Sequence, residues 1–399
     1  MSLVINTNIA SLNAQNNLTK SQSALAQATQ RLSSGLQINS AADNAAGFAI
    51  ATRFQTQIGG LAQASNNASD AINLAQTAGS ALNQVTSNLQ AIRDLAVQAA
   101  NGTSQASDRQ AINTEVQQRL QEINRIANQT SFNGTNILNG QAGQLSFQIG
   151  ANVGQAIDVN LSQGVQTGQI GGVAEISTAS ISGDFVNASG AATTLDLSTF
   201  SITGADGNAV TLAGTASSAQ DVADAINSAG LNGVSAAVNS NGGLNIFSTG
   251  TLSISGGTAA ATSVNAANTG ALGSASASGS NGAALAGNSL TTTVSGSLQG
   301  SDVLTVDDAN KLIANIDSAL NVVSNINSTL GAVQNRFQST IATLSAQSTN
   351  LQASQSSIQD ADFAQETANL SKAQVLQQAG ISVLATANAQ PQQVLKLLQ

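Results

Sequence analysis

The chain has 399 residues, with 11 bases, 20 acids and a formal net charge of −9, and it contains neither Cys nor His. Without His it lacks the commonest general base and metal ligand, and without Cys it has no disulfides or thiolate sites, so most catalytic constellations are excluded and no enzyme is expected. Aromatic residues make up only 2% of the chain, so burial has to come from many small aliphatic contacts along extended or intermolecular surfaces.

The N-terminus, MSLVINTNIASLNAQNN, has no basic start followed by an apolar run, so a cleavable signal is not expected. No apolar run approaches the ~20 residues of a membrane helix. From Ala14, the series Leu18, Ser21, Leu25, Ala28 and Leu32 steps by 3 and 4 and predicts a helix with one narrow apolar seam. Gly35 offers a stop, and Asn39, Ser40, Asp43 and Asn44 are turn and cap residues. A second stripe, Leu82, Val85, Leu89, Ile92, Ala96 and Ala99, ends at Asn101-Gly102. Ser107 and Asp108 are suited to cap a third helix whose face is Ile112, Val116, Leu120, Ile123 and Ala127.

From about 130 to 305 the pattern changes to Asn-Gly pairs and short alternating runs. Asn133-Gly134 and Asn139-Gly140 read as hairpin turns; Leu145 to Ile149, Ile157 to Leu161, Ala209 to Leu212, Leu244 to Phe247 and Leu252 to Ser255 read as strands, and Ala219 to Asn227 as a helix. The Gly-, Ser- and Ala-rich stretch 256–300 fits strand, loop or disorder. Asp221 and Asp224 are three apart on the short helix, a spacing better explained by a solvated face than by an acid pair. Between 126 and 310 there are ten acids and no base, whereas the two ends together carry +1. No basic cluster favours nucleic acid, and the acidic middle reads as a solvated surface.

The strongest periodicity follows in Leu312, Ile316, Ala319, Val323, Ile326, Leu330, Val333, Phe337, Ile341, Leu344, Ser348 and Leu351, about 60 Å of seam at ~1.5 Å per residue. Such a helix needs partners along its length, and the helices from 58 to 100 and 108 to 128 are available. The spacing therefore predicts an α+β fold: a long antiparallel α-helical coiled-coil bundle formed by both chain ends, with a central, mostly β, outer domain. A weaker last seam runs through Leu376, Val383, Ala387, Val394 and Leu397, with Gly380 and Pro391 expected to interrupt it. Both terminal seams are poor in large apolar residues, so the tails are expected to be mobile in a free subunit.

These residues resemble the flagellin family. The resemblance lies in INTNIASLNAQNNL (Ile5 to Leu18), RLSSGLQINSAADNAAGFAIA (Arg31 to Ala51), LQAIRDLAVQAANGT (Leu89 to Thr103), EVQQRLQEINRIANQTSFNGTNILN (Glu115 to Asn139) and SVLATANAQPQQVLKLL (Ser382 to Leu398), and it covers roughly 1–160 and 305–399. Residues 217–236 more weakly resemble an insertion motif of flagellin outer domains.

The resemblance implies terminal helices in the inner tube of a filament (1–45 and 355–399), a helical bundle domain with a β-hairpin (46–175 and 303–354) and a variable outer β-rich domain (176–302). It implies a structural subunit that polymerises into the bacterial flagellar filament, serves motility and leaves the cell through the flagellar type III apparatus. Polymerisation is then expected of Leu18, Leu25, Leu32, Leu376, Val383, Val394 and Leu397. The partners implied are other copies of the chain, an export chaperone on the C-terminal helix, and cap and junction proteins, with no nucleic acid, membrane or cofactor. Gln90, Arg93, Leu95 and Glu115 resemble the surface contacted by a Toll-like innate receptor, although Ala91 stands where such flagellins typically have arginine. The alternatives are a hook-filament junction protein and a secreted adhesin or surface-layer protein.

Overall fold

The computed structural model describes residues 8–178, 180, 181, 185, 192, 194–255 and 290–397, without the side chains of 199, 290, 291 and 391–397. The stretch 256–289, most of the Gly/Ser/Ala-rich segment, lies outside the described residues. Two compact units divide the chain: one of 1–69, 148–156 and 338–399, the other of 70–147 and 157–337.

In the first unit, α1 (Ile9–Ser34) and α6 (Phe363–Leu397) form an antiparallel pair, with Asn8 beside Ala387 and Arg31 beside Glu366. Gly35 ends α1 in the left-handed conformation (φ 72°), and its N–H donates to the Arg31 carbonyl at 2.8 Å. Only glycine takes that geometry without a Cβ penalty. Asp43 folds the following turn by accepting from Ser40 and Asn39, and this bonding, led by Ser40, holds its carboxyl below the usual carboxylate range. Asn44 then caps α2 (Ala45–Ala100) by accepting from the Gly47 N–H at 3.0 Å. The helix thus begins well before the expected residue 58. Still in this unit, the early part of α2 packs through Leu61 and Ala64 on the late part of α5 (Val306–Gln359) through Leu344 and Leu351.

The second unit contains the rest of α2 and α5, again antiparallel, with Asn83 opposite Asn327 and Arg93 opposite Asp317. The expected stripes are its core: Leu82, Val85, Leu89, Ile92, Ala96 and Ala99 on α2 and Leu312, Ile316 and Ala319 on α5 are completely buried. Ile326 and Val333 are half-buried members of the same α5 seam. The third helix, α3 (Ala106–Gln129), buries the predicted face from Ile112 to Ala127. Its start differs from the expectation. Asp108 accepts from the Gln105 N–H, so Gln105 is the cap residue and Ser107 lies inside the first turn.

After α3, β1 (Ser131–Phe132) and β2 (Thr135–Asn136) pair across Asn133-Gly134, both with positive φ, as a tight hairpin requires. Asn139-Gly140 does not make a second hairpin. The neighbouring Ile137 and Leu138 are buried without joining a strand, and the Asn139 side-chain oxygen accepts from the Gln141 N–H, bending the backbone locally. The next two strands, β3 (Gly143–Gln148) and β4 (Ala156–Leu161), pair with each other.

Downstream, β5 (Ala174–Ser177), which the alternation did not single out, lies beside β11 (Leu244–Ser248), and β10 (Val234–Val238) beside β11 again. A four-stranded sheet takes β7 (Ser201–Thr203), β8 (Ala209–Thr211), β12 (Leu252–Ser255) and β13 (Leu290–Thr292) in the order β13-β12-β7-β8. The short β6 (Leu195–Asp196) pairs with β9 (Thr215–Ala216). The helix α4 (Ala219–Ser228) covers a core with Val222, Ala223 and Ile226. Asp221 acts at its start, accepting from Ser217 and receiving the Ser218 cap, and these bonds, led by the Ser217 hydroxyl, lower its pKa. Asp224 accepts from Gln220, so the two acids have separate structural partners.

Candidate assembly surface

On α1, the face turned to α6 is Ser11, Ala14, Leu18, Ser21, Leu25, Ala28 and Leu32, alternating steps of 3 and 4; Ala14 and Ala28 are buried and the others half-buried. The matching face of α6 runs Glu366, Leu370, Ala373, Gln377, Gly380, Leu384 and Ala387, at the same spacing. This departs from the predicted C-terminal seam. Only Ala387 is shared, while Leu376 and Val383 are 48% and 56% exposed. Val394 and Leu397 have side chains outside the described residues.

The reason is the closeness of the helices. At Gly380 an added Cβ would come within 3.3 Å of the Leu18 side chain, so the contact line selects small residues and leaves larger ones on its flanks. Gly380 therefore does not interrupt α6, despite costing a helix interior ~1 kcal/mol relative to Ala. Pro391 does not interrupt it either. A proline there has no N–H for the carbonyl four residues back, that of Ala387. The Asn8 side chain supplies the missing donor at 2.8 Å, while its own carbonyl caps α1 by accepting from Ser11.

One buried charge lies on the seam. Glu366 is 6% exposed and accepts from Arg31 at 3.0 Å, with Asn369 on its other oxygen; the Arg31 Nε is buried without a partner. A cavity of about 360 Å³ beside the pair is lined by Lys20, Arg31, Glu366, Lys372 and Leu376 among others.

Away from the α1–α6 contact, α6 remains apolar. Phe363, Val375, Leu376, Ile381 and Val383 are all exposed, and so are Ile9 and Leu12 on α1. At 100° per residue Leu376 and Val383 fall on one flank of the seam and Phe363 and Ile381 on the other, with Val375 nearly opposite. These apolar side chains stand exposed among polar ones such as Lys372, Gln374, Gln378 and Ser382, on more than one side of the helix.

The residues likened to a receptor surface lie in the second unit. Gln90 is exposed and Leu95 half-buried on α2; Arg93 is held by Asp317 at 2.7 Å, and this bond raises its pKa. Glu115, on α3, is exposed and paired with Arg119 at 2.7 Å one turn on. Each charge therefore already has an intramolecular partner. Among the described residues no group of three or more His, Cys, Asp or Glu is placed to hold a metal, and no helix is long and apolar enough to cross a membrane.

Paired terminal helices flank an inserted β region in the sequence, and apolar side chains are left open on the pair. The N-terminal helical region of bacterial flagellin matches residues 5–143 and the C-terminal helical region of bacterial flagellin matches 313–398. The chain belongs to the bacterial flagellin family. A phase 1 flagellin of Salmonella naestved is 50% identical over 196 residues, 48% of this chain and 39% of that protein, and a flagellin of Salmonella dublin matches equally. The chain thus spans well under half the length of these curated relatives. Among solved structures, FliC from Burkholderia pseudomallei is similar at 30% identity over 67% of this chain and 99% of that one, with a TM-score of 0.40. The flagellar junction protein FlgL from Legionella pneumophila is similar at 18% identity over 78% and 99%, with a TM-score of 0.39.

Proposed function

We propose that this chain is a structural, non-enzymatic subunit that polymerises into the flagellar filament, with the flanks of the α1–α6 pair as its subunit contacts. The observation that carries the proposal is the apolar surface left open on α6, from Phe363 to Val383. Leu376 and Val383 act between chains; Leu18, Leu25 and Leu32 hold the pair itself together, and Val394 and Leu397 continue the contact toward the end. In this reading 1–45 and 355–399 form the inner tube, 46–175 and 303–354 the bundle domain, and 176–302 the outer domain. The subunit is exported through the type III apparatus, with a chaperone covering the C-terminal helix, and functions outside the cell between cap and junction proteins. Gln90, Arg93, Leu95 and Glu115 supply the contact for a Toll-like receptor.

The test is to add purified chain to short filament seeds and follow growth by electron microscopy. Elongation above a critical concentration is expected; a chain that stays monomeric at every concentration, with its helices intact, refutes the proposal.

A further inference from the structure

The α1–α6 pair carries unmatched charge on one side. Lys20 and Lys372 line the groove between the two helices, together with Leu376 and the Arg31–Glu366 pair. Arg31 and Glu366 neutralise each other at 3.0 Å. Neither lysine has a hydrogen-bond or ion-pair partner among the described residues, and both are exposed. The groove, about 360 Å³ in volume, therefore presents two free ammonium groups beside Leu376, which is 48% exposed.

The opposite pattern stands at the end of the same pair, where α5 passes into α6. Asp360 and Asp362 are exposed there, and Phe363 beside them is 63% exposed. Asp360 accepts from the Ser356 hydroxyl, and Asp362 uses one oxygen on the Ala364 and Gln365 N–H groups. Each keeps its other oxygen free, and among the described residues neither has a cationic partner. Backbone bonds to the turn after α1 hold this segment in place: the Gln37 N–H donates to the Gln359 carbonyl at 2.7 Å, and the Ala361 N–H to the Gly35 carbonyl at 2.9 Å. A knob fixed in this way loses little conformational freedom on docking.

We propose that the acidic knob of one copy, formed by Asp360, Asp362 and Phe363, docks into the basic groove of a second copy at Lys20, Lys372 and Leu376. This contact rests on the filament reading above and names two surfaces that meet in it. Charge complementarity selects the occupant: two free carboxylates face two free ammonium groups, and each side adds one exposed apolar side chain. The two surfaces cannot meet within one chain, because Asp362 and Lys372 lie ~15 Å apart along the axis of α6. Copies aligned in parallel leave a knob open at one end and a groove at the other, so the contact repeats as an open polymer. An antiparallel pair would use both and close as a dimer.

The test measures the critical concentration for growth of full-length variants on wild-type seeds at about 0.1 M salt. Lys20→Glu with Lys372→Glu reverses the groove; Asp360→Lys with Asp362→Asn reverses the knob while keeping a capping side chain at the start of α6. Each pair should raise the critical concentration at least about tenfold, because like charges then face each other across the contact. All four substitutions together should bring it back to within about threefold of wild type. The difference between either pair and wild type should shrink at about 0.5 M salt. Monomer melting should change little, since all four positions are exposed. The contact is overturned by reversed variants that grow at the wild-type critical concentration, by a fourfold variant no better than either pair, or by closed dimers in sedimentation. A wild-type chain that does not elongate overturns the filament reading and this contact with it, whereas wild-type growth with unaffected variants overturns the contact alone. Should the reversed groove loosen the helix pair, Lys20→Gln with Lys372→Gln replaces it: knob reversal must then have a smaller effect than in the wild-type background, and an equal effect overturns the contact.

Discussion

Val383→Asp and Leu25→Asp perturb the same helix pair but should fail in different ways. Val383 is 56% exposed on the flank of α6. Replacing it in the monomer changes an exposed helix position, which typically alters stability by no more than ~0.5 kcal/mol. In a filament the same position loses the remaining apolar burial, about 1 kcal/mol, and places an unpaired carboxylate in a contact, a further ~2–3 kcal/mol. A total of ~3–4 kcal/mol raises the critical concentration roughly 200- to 1,000-fold. Leu25, by contrast, is half-buried toward α6 within the chain, so Leu25→Asp should loosen the pair in the monomer by ~2 kcal/mol as well as stop growth. Both variants would be examined for amide exchange of residues 9–34 and 363–390 in the monomer, then added to wild-type seeds. Val383→Asp with native monomer protection and no elongation is expected. Elongation of Val383→Asp near the wild-type critical concentration refutes the assignment of this flank to subunit contacts.

Asn8→Asp keeps an acceptor for Ser11 but loses the donor to the Ala387 carbonyl, so exchange at the end of α6 should quicken in filaments, corresponding to ~1 kcal/mol; unchanged exchange would mean that this carbonyl needs no partner. Replacing 178–294 by a short Gly/Ser linker should leave a polymerising chain with thinner filaments, because Val173 and Ser295 are paired neighbours (N···O 3.1 Å); a variant whose bundle folds but does not elongate counts against an outer-domain role. Asp221 has a folded pKa below the ordinary carboxylate value of 3.8, so its contribution is present above that value and is lost as pH falls through the folded one. Asp221→Asn should therefore lower melting at neutral pH, with the deficit shrinking at about pH 2, and a pH-independent deficit would show another cause. Arg93→Ala and Glu115→Ala should weaken receptor binding and Ala91→Arg strengthen it; no change in all three removes the receptor assignment.

The long seams were legible because their residues are large and regularly spaced. Leu82 to Ala99 and Leu312 to Phe337 needed only the helical period to reveal the face they bury. The seam of α6 was not legible in that way. Leu376 and Val383 stand out by hydropathy, yet the contact line uses Glu366, Ala373 and Gly380, a buried charge and small residues that only a close neighbour helix explains. That Glu366 would be paired depended on Arg31, 335 positions away. Pro391 read as a break because its substitute donor, Asn8, lies at the opposite end of the sequence. The turn signals divide similarly: Asn133-Gly134 makes its hairpin locally, whereas at Asn139-Gly140 the burial of Ile137 and Leu138 overrides the turn preference.

The most direct measurement is a cryo-electron microscopy map of filaments grown from the purified chain. Side-by-side α1–α6 pairs are predicted, with Leu376 and Val383 covered by neighbouring subunits and Leu25 still facing α6 of its own chain. A filament in which Leu376 and Val383 face solvent, or one held together without the terminal helices, would contradict the proposed contacts.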